Sequence, residues 1–319
     1  MKRRTFIAAG AAGTLAAHGA FAANAGFTRP IQVIVPYAAG GADTYVRPLQ
    51  PALQARHGIQ LVIETVVGAG GTIGSMRVKR AAPDGQTLLF CGSGALTIAP
   101  RLQEGNAPTA ADFVPVLNLV DNPYIIAVRK DSAIRSAAAF IDFIKRNPGR
   151  LNYGSPGIGS APHLGMEALA ARLNTSVTHV PFTGVSAAMQ ALLGGHVDAI
   201  IGAPSTVVPQ MRQGAVIGLA TTGRERYPYA PELPVLSEAA GVDVDVITRF
   251  AFYAPKGTPT SVTERLATAL RDAAAQPEYL KAMEAVQTQV NVQSADVLAR
   301  GLAAEEERFA PVIALVKKR

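Results

Sequence analysis

Residues 31–44 decide the fold, and they read IQVIVPYAAGGADT. The first five are mostly apolar and β-branched, which is typical of a buried strand. Two glycines and then Asp43 and Thr44 follow, so the pattern predicts a turn and a helix capped by one of these two side chains. The N–H groups at such a helix start attract carboxylates and phosphates, unless the turn serves only to cap the helix. Pro48 and Pro51 predict that this helix is kinked or starts late.

The same alternation of strand and helix continues along the chain. Strand-like runs follow at residues 61–66, 87–91, 124–128, 177–180, 197–201 and 216–220. Helical patterns lie at residues 136–146, 162–173, 186–193, 261–275, 278–286 and 295–316. Short apolar strands alternating with helices predict parallel sheets covered on both faces. A charge run, Glu305 to Glu307, is expected on the solvated face of the last helix.

Two further glycine-rich segments follow strands. Residues 68–74 read GAGGTIG, but Ile73 stands where a dinucleotide fingerprint needs its third glycine, which argues against a nicotinamide cofactor. The segment still allows close approach of a ligand to the backbone. Residues 153–163 read YGSPGIGSAPH and offer the hydroxyls of Ser155 and Ser160 beside unobstructed glycine amides. His163 either binds an anion or is a structural partner of this loop.

Composition limits the class of protein. The chain has 319 residues, 49% of them hydrophobic and 17% charged, which indicates two folded α/β domains and excludes disorder or a coiled coil. Three of the formal +7 charges come from Lys2, Arg3 and Arg4, and the remainder is too diffuse for a nucleic-acid partner. The single cysteine, Cys91, excludes an intrachain disulfide and is expected to be a packed strand residue.

The N-terminus has the pattern of an export signal in residues 1–25. Three basic residues precede a short Ala- and Gly-rich apolar stretch, and A-x-A junctions end at Ala22 and Ala25. The pair Arg3-Arg4 is compatible with twin-arginine export, and ordinary secretion is the alternative. Either route predicts a periplasmic protein cleaved near Ala22 or Ala25.

The lack of catalytic motifs in the sequence favours binding over catalysis. The sequence contains no nucleophile elbow, phosphate loop or H-E-x-x-H motif, and its histidines lack helical metal spacing. We therefore expect no cofactor, no metal and no catalytic residue. An exported enzyme is the competing class, and only Cys91 or His163 can be nominated for its reactive group.

Ordered motifs over essentially the whole mature chain carry a family resemblance. They are residues 29–37 (RPIQVIVPY), 68–74, 82–85 (APDG), 155–164 (SPGIGSAPHL), 179–184 (HVPFTG), 254–255 and 257–259. The chain resembles the Bug-type receptors, which are the periplasmic solute receptors of tripartite tricarboxylate transporters. Each motif is weak alone, but their order and spacing together are specific.

The resemblance implies a type II periplasmic-binding fold, with two doubly wound α/β domains joined by two crossover strands. The crossings are expected within residues 117–128 and 246–254, which gives a first domain of residues 26–122 and 250–319 and a second of residues 123–249. A small carboxylate would bind in the cleft between the domains. Carried over by motif, its binding residues are Tyr37, Ala39, Gly41, Asp43, Thr44, Gly70 and Gly71 on one side and Ser155, Gly159, Ser160, His163 and Thr183 on the other.

Several positions depart from the family pattern around the distal end of the ligand. The first loop is one residue shorter between Gly41 and Asp43, Thr65 and Val67 replace an Asn and a Pro, and Gly202-Ala203 replace a polar pair. Arg249 stands where the family has Trp. Its guanidinium either turns outward into solvent or meets a second carboxylate of the ligand, which a planar fork suits.

These expectations combine into one functional hypothesis. The protein is a monomeric receptor that captures a small organic acid and delivers it to the membrane permease of a tripartite tricarboxylate transporter. The alternatives are a receptor for an amino acid or aromatic acid without a second carboxylate, and a ligand sensor for a membrane signalling partner.

Overall fold

The computed structural model describes Phe27, residues 29–103 and residues 105–317, and in this part of the chain eleven strands form two sheets. The predicted export signal lies outside the described residues. The strands are β1 (Ile31–Val35), β2 (Leu61–Thr65), β3 (Thr87–Gly92), β4 (Phe113–Pro123), β5 (Ile125–Arg129), β6 (Asn152–Ser155), β7 (Thr178–Pro181), β8 (Ala199–Gly202), β9 (Val216–Thr221), β10 (Ile247–Pro255) and β11 (Val290–Ser294).

Thirteen α-helices in the described residues cover the sheets. They are α1 (Asp43–Val46), α2 (Gln50–His57), α3 (Thr72–Lys79), α4 (Gly94–Thr97), α5 (Ala99–Leu102), α6 (Ala137–Arg146), α7 (Ala161–Arg172), α8 (Val185–Leu193), α9 (Pro204–Arg212), α10 (Leu236–Ala240), α11 (Thr260–Ala274), α12 (Pro277–Ala285) and α13 (Ala295–Val316). Among these residues, no helix has the length and apolar character needed to cross a bilayer.

The two sheets are mixed rather than parallel. The first has the order β11-β4-β10-β3-β1-β2, and the second has the order β7-β6-β8-β5-β9. Only β1, β2 and β3 in the first sheet and β6, β7 and β8 in the second pair in parallel. The expectation of parallel sheets is therefore wrong for the strands that cross between the lobes. A strand that returns to a sheet from the opposite lobe runs antiparallel to its neighbours in that sheet. We call the first sheet with its helices the first lobe, and we call the second sheet with its helices the second lobe.

The chain crosses between the lobes at the β4–β5 junction and again at the start of β10. Tyr124 lies between β4 and β5, and its backbone N–H donates to the Thr222 hydroxyl at 2.8 Å. The N–H of Val246, just before β10, donates to the Thr222 carbonyl at 2.9 Å. The Tyr124 and Thr248 hydroxyls share a buried hydrogen bond of 2.5 Å. The two crossings are thus tied side by side, as a hinge requires.

Helix α13 connects the lobes a third time. Its early residues Leu298 and Leu302 pack with Cys91 of the first sheet, whereas Phe309 and Ile313 pack in the core of the second lobe. The Arg308 guanidinium donates to the Asp245 carbonyl at 2.7 Å. The predicted limits assigned residues 250–319 wholly to the first domain, but the last turns of α13 are part of the second lobe's packing.

Local expectations for the first lobe are met in part. The helix after residues 36–42 is interrupted by a 3-10 turn at Arg47–Leu49, as the prolines predicted. The predicted cap is wrong, because no side chain caps α1 and the Thr44 hydroxyl instead donates to the Gly41 carbonyl at 2.6 Å. Cys91 is fully buried in β3, as predicted, and burial raises the pKa of its thiol.

Candidate functional site

The candidate site is formed by loops that follow the carboxyl ends of parallel strands in both lobes. Residues 36–42 and 66–71 follow β1 and β2, and we call them the first and second loops. Residues 156–160 follow β6 and form the third loop, and residues 182–184 follow β7. In α/β sheets, ligands bind in the crevice outside these strand ends.

Helix α5 brings the second and third loops together. Gln103, just after this helix, donates from Nε2 to the Ala69 carbonyl at 2.9 Å and accepts from the Thr72 hydroxyl at 2.8 Å. The neighbouring Leu102 lies so close to Gly159 that a Cβ added there would be 3.0 Å from Leu102 Cδ1. Loops from the two lobes therefore flank the same end of α5.

The first loop presents backbone donors. Ala39, Gly40 and Gly41 are exposed, and among the described residues no acceptor lies within hydrogen-bond distance of the Ala38, Ala39 and Gly40 N–H groups. The Tyr37 hydroxyl accepts the Gly92 N–H at 3.1 Å. Burial raises the pKa of this tyrosine well above its usual value, so the hydroxyl stays neutral. The loop thus offers amides rather than charged side chains.

Asp43 and Thr44 serve the structure of the first lobe. The Asp43 carboxylate is buried, and its Oδ2 accepts from Arg47 Nε at 2.8 Å. Its Oδ1 is also buried and has no partner among the described residues. The Thr44 hydroxyl donates to the Gly41 carbonyl, as described above.

The second loop is held by close packing. Gly70 and Gly71 lie in the 3-10 turn Ala69–Gly71, and Gly71 has φ +100°, a conformation that favours glycine. Pro36 and Ala95 lie 3.5 Å from the position of a Cβ at Gly71. The N–H of Gly71 donates to the Gly68 carbonyl at 3.0 Å, whereas Val67 and Gly68 have no acceptor for theirs in the described part of the chain.

The third loop differs because its own side chains occupy its amides. The Gly157 N–H donates to the Ser155 hydroxyl at 3.2 Å, and the Gly159 N–H donates to Nδ1 of His163 at 3.1 Å. The Ser160 hydroxyl caps α7 by accepting the His163 N–H at 3.4 Å and donates to the Gly157 carbonyl at 2.7 Å. The expectation that these glycine amides are unobstructed is wrong, because imidazole and hydroxyl acceptors lie directly behind them.

His163 is buried and stacks on His179, with ring centroids 4.0 Å apart. His179 Nε2 lies 2.7 Å from the hydroxyl oxygen of the fully buried Ser155. Burial lowers the pKa of His179 to about 4, so its ring is neutral near pH 7. His163 is therefore a structural partner of the third loop, one of its two expected roles. Thr183 lies exposed between β7 and α8.

Arg249 has a partner inside the protein. Its guanidinium Nη1 lies 3.5 Å from Oε2 of Glu305 on α13, and its side chain is only 16% exposed. The expectation that the side chain turns outward into solvent is wrong, because Glu305 holds the guanidinium inside the protein. The Glu305 carboxylate also accepts from the Ser93 and Thr97 hydroxyls at 2.7 Å each. Burial raises its pKa, although these hydrogen bonds oppose the rise.

Sequence reasoning missed three residues of this region. Glu305 was expected on a solvated face but is 2% exposed, because α13 lies against α4 and β10 at that point. His179 was part of a recognised motif, yet its stacking on His163 depends on a strand and a helix that meet only in the fold. Gln103 follows a one-turn helix and carries no signal in the sequence. Among the described residues, no group of three His, Cys, Asp or Glu side chains is placed to hold a metal.

Comparison with known proteins gives a family and relatives. The family model "Tripartite tricarboxylate transporter family receptor" matches residues 45–317. Protein BugT of Bordetella pertussis is 30% identical over 315 residues, which cover 94% of this chain and 96% of BugT.

Two similar solved structures contain carboxylates. MatC from Rhodopseudomonas palustris with bound malate is 29% identical, with a TM-score of 0.77 over 90% of this chain and 99% of that chain. An R. palustris protein solved with adipate is 25% identical, with a TM-score of 0.80 over 90% of this chain and 98% of that chain. The two-lobed α/β architecture is thus that of known periplasmic binding proteins.

Proposed function

The chain belongs to the tripartite tricarboxylate transporter receptor family, and we propose that it binds a small carboxylate between its lobes in the periplasm and delivers it, as a monomer, to a membrane permease. The ligand would bind where the first and second loops of the first lobe approach the third loop of the second lobe. The lobes would close over it by bending at the two crossings beside Tyr124 and Val246.

Unpaired amides in the first lobe carry this proposal. The N–H groups of Ala38, Ala39, Gly40, Val67 and Gly68 have no acceptor among the described residues, and they lie on two adjacent loops. Several neighbouring N–H donors suit an anion such as a carboxylate, because hydrogen bonds to an ionised acceptor are stronger than those to a neutral one. Malate and adipate in two similar structures support the same ligand class.

The third loop would complete the site from the second lobe. Since its glycine amides are occupied, we assign its contacts to the N–H groups of Ile158 and Ala161, which lack an acceptor in the described residues. Ser160 and Gly159 then act by fixing the shape of the loop. Of the residues that the resemblance implied, Ala39, Gly41, Gly70 and Gly71 are proposed to line the cradle, and Thr183 its edge.

Binding without turnover is supported by the state of the reactive side chains. Ser155 and His179 are paired at 2.7 Å, but Ser155 is fully buried and a histidine with a pKa of about 4 is a weak base at neutral pH. Cys91 is buried as a thiol in β3. These groups stabilise the lobes rather than face a substrate.

Calorimetry and thermal unfolding of the secreted chain test the receptor function. A panel of small carboxylates and neutral sugars should give stoichiometric binding to at least one carboxylate and none to the sugars, because the chain has no Trp and only 6% aromatic residues for stacking. A ligand present at 100 times its Kd should raise the unfolding free energy by about 2.7 kcal/mol. Sugar binding without carboxylate binding would refute the proposal.

A matched pair of glycine variants tests the amide cradle. Gly40 in the first loop and Gly58 after α2 both have positive φ, +83° and +64°, and a Cβ added at either would have no other atom within 4 Å. Replacing either with Val should therefore cost about 1–2 kcal/mol of stability through backbone strain. Only Gly40→Val should also block carboxylate binding, because its side chain would cover the amides. Equal affinity in both variants would contradict the cradle.

A further inference from the structure

We propose that the ligand is a monocarboxylate with an apolar body rather than a di- or tricarboxylate. This inference rests on the receptor function proposed above and names its substrate class. Two independent features of the cleft support it, which are the absence of basic residues from its loops and the apolar side chains that they expose.

Charge on the loops allows for one carboxylate. The segment after β9 contains Arg224 and Arg226, but these are paired with Asp245 and Glu238. The strand-end segments 36–44, 66–74, 153–163, 181–186 and 201–206 contain no Lys or Arg. Their single acidic residue, Asp43, is paired with Arg47, whose positive charge is thereby offset. The amides of the first and second loops can hold one anionic group. A second carboxylate at the distal end would lose its hydration without gaining an ionic partner.

Arg249 is the cation that a second carboxylate would need, and Glu305 already binds it. Glu305 is held in turn by Ser93 and Thr97, so its carboxylate is fixed beside the guanidinium from three sides. Gly301 of α13 lies directly against Arg249, since a Cβ there would be 3.0 Å from Arg249 Nε. Glu305 therefore offsets this charge, and a second ligand carboxylate placed beside Arg249 would also lie beside the like charge of Glu305.

Exposed apolar side chains lie on the same loops. Seven large apolar residues are exposed among the described residues, and three of them belong to this region: Val67 at 57%, Ile73 at 54% and Ile158 at 70%. Ile73 directly follows Thr72, which is bonded to Gln103, and Ile158 precedes Gly159, which lies against Leu102. They thus flank one end of α5 from opposite lobes. Apolar side chains that stay exposed in a ligand cleft indicate an apolar part of the ligand.

Matched acids of equal length test the substrate class. We would measure by calorimetry the Kd of hexanoate against adipate and of 4-methylbenzoate against terephthalate, pairs in which a methyl group replaces the second carboxylate. In at least one pair the monocarboxylate should bind at least tenfold more tightly, and in neither should the dicarboxylate bind better. Equal or tighter binding of the dicarboxylate in either pair would overturn the inference and leave the receptor function intact. If no carboxylate of the wider panel binds either, the proposed function itself fails, whereas binding of only another di- or tricarboxylate would overturn this inference alone.

Ile158 variants test the apolar contact. Ile158→Asn should weaken the bound monocarboxylate at least fivefold, and Ile158→Arg should shift the preference toward the matching dicarboxylate. Leu280→Asn is the control, because Leu280 is also exposed, at 45%, but lies on α12 away from the loops. Thermal unfolding without ligand should be similar for all three variants. Unchanged affinity in Ile158→Asn, or the same loss in Leu280→Asn, would overturn the apolar contact.

Discussion

The first and third loops both join a strand to a helix through glycines, yet they differ in what holds them. In the first lobe, the loop amides are open and the backbone is supported from behind by packing, with Pro36 against Gly71 and Gly74. In the second lobe, the amides of Gly157 and Gly159 are occupied by side chains of the same lobe. One loop leaves its amides without acceptors among the described residues, and the other uses its own side chains to keep its shape.

The difference shows that a glycine-rich loop alone does not define an anion site. The number of amides available to a ligand depends on the acceptors that lie nearby in the fold. Ser155 and His163 supply such acceptors in the second lobe, whereas the first loop is backed by apolar side chains. The two lobes should therefore respond differently to pH, to added volume and to loss of a hydroxyl.

The largest expected effect concerns pH and the second lobe. Burial lowers the pKa of His179 to about 4 from about 6.5, so at intermediate pH the unfolded chain binds a proton that the folded chain does not. The stability is complete above pH 6.5 and falls as the pH drops toward 4, by at most about 3 kcal/mol and by less because water screens this partly exposed ring. His179→Gln should remove that part of the pH dependence in urea unfolding at pH 7 and pH 4.

Exposed His196 supplies the control for this measurement. His196→Gln, in the same lobe, should unfold with the pH dependence of the wild type. If His179→Gln keeps the wild-type dependence, the stacked histidines do not account for the acid sensitivity of the second lobe.

An intermediate effect concerns volume in the first lobe. A Cβ at Gly74 would lie 2.9 Å from both Pro36 Cβ and the Val66 carbonyl oxygen, so Gly74→Ala must shift α3 away from the first and second loops. Overpacking of this kind should lower the unfolding free energy by about 2 kcal/mol, as measured by urea denaturation. Gly94→Ala is the control, because its nearest atom is Ile98 Cδ1 at 3.4 Å. A similar loss of unfolding free energy in both variants would mean that packing behind the loops is no more sensitive to added volume than packing elsewhere.

The smallest expected effect concerns a helix cap that also fixes the shape of the third loop. Ser160 and Ser136 cap α7 and α6 respectively, each accepting a backbone N–H. Replacing either with Ala should cost about 1 kcal/mol of stability. Only Ser160→Ala should weaken carboxylate binding, by about fivefold, which corresponds to about 1 kcal/mol. Equal affinity of the two variants, measured by calorimetry, would remove the third loop from the site.

Local patterns in the sequence predicted a large share of the fold. The strand at Ile31–Val35 and the last helix at Ala295–Val316 have the predicted bounds, and the other elements that were given bounds differ from prediction by one or two residues. Cys91 and the break near Pro48 also follow from their neighbours in the chain. These features depend on hydrophobic periodicity and backbone restriction, which act over a few residues.

Contacts between residues that are distant in the chain could not be predicted from these local patterns. Arg249 and Glu305 are 56 positions apart, and the run of three glutamates gave no sign that its first member is buried. The two stacked histidines lie on a helix and a strand that approach only when the second sheet forms. A short strand, β11, was missed because its residues alternate weakly and it pairs only with β4.

The sequence by itself determined the family, the alternation of elements and the positions of the glycine loops, because these are written in the order and spacing of residues. Only the tertiary structure decided which backbone N–H groups lack an acceptor and which charged side chains form ion pairs. A hydrogen bond or an ion pair depends on distances of about 3 Å between atoms from separate elements, and such distances exist only after the lobes have packed. The open first loop, the occupied third loop and the paired Arg249 are therefore properties of the fold.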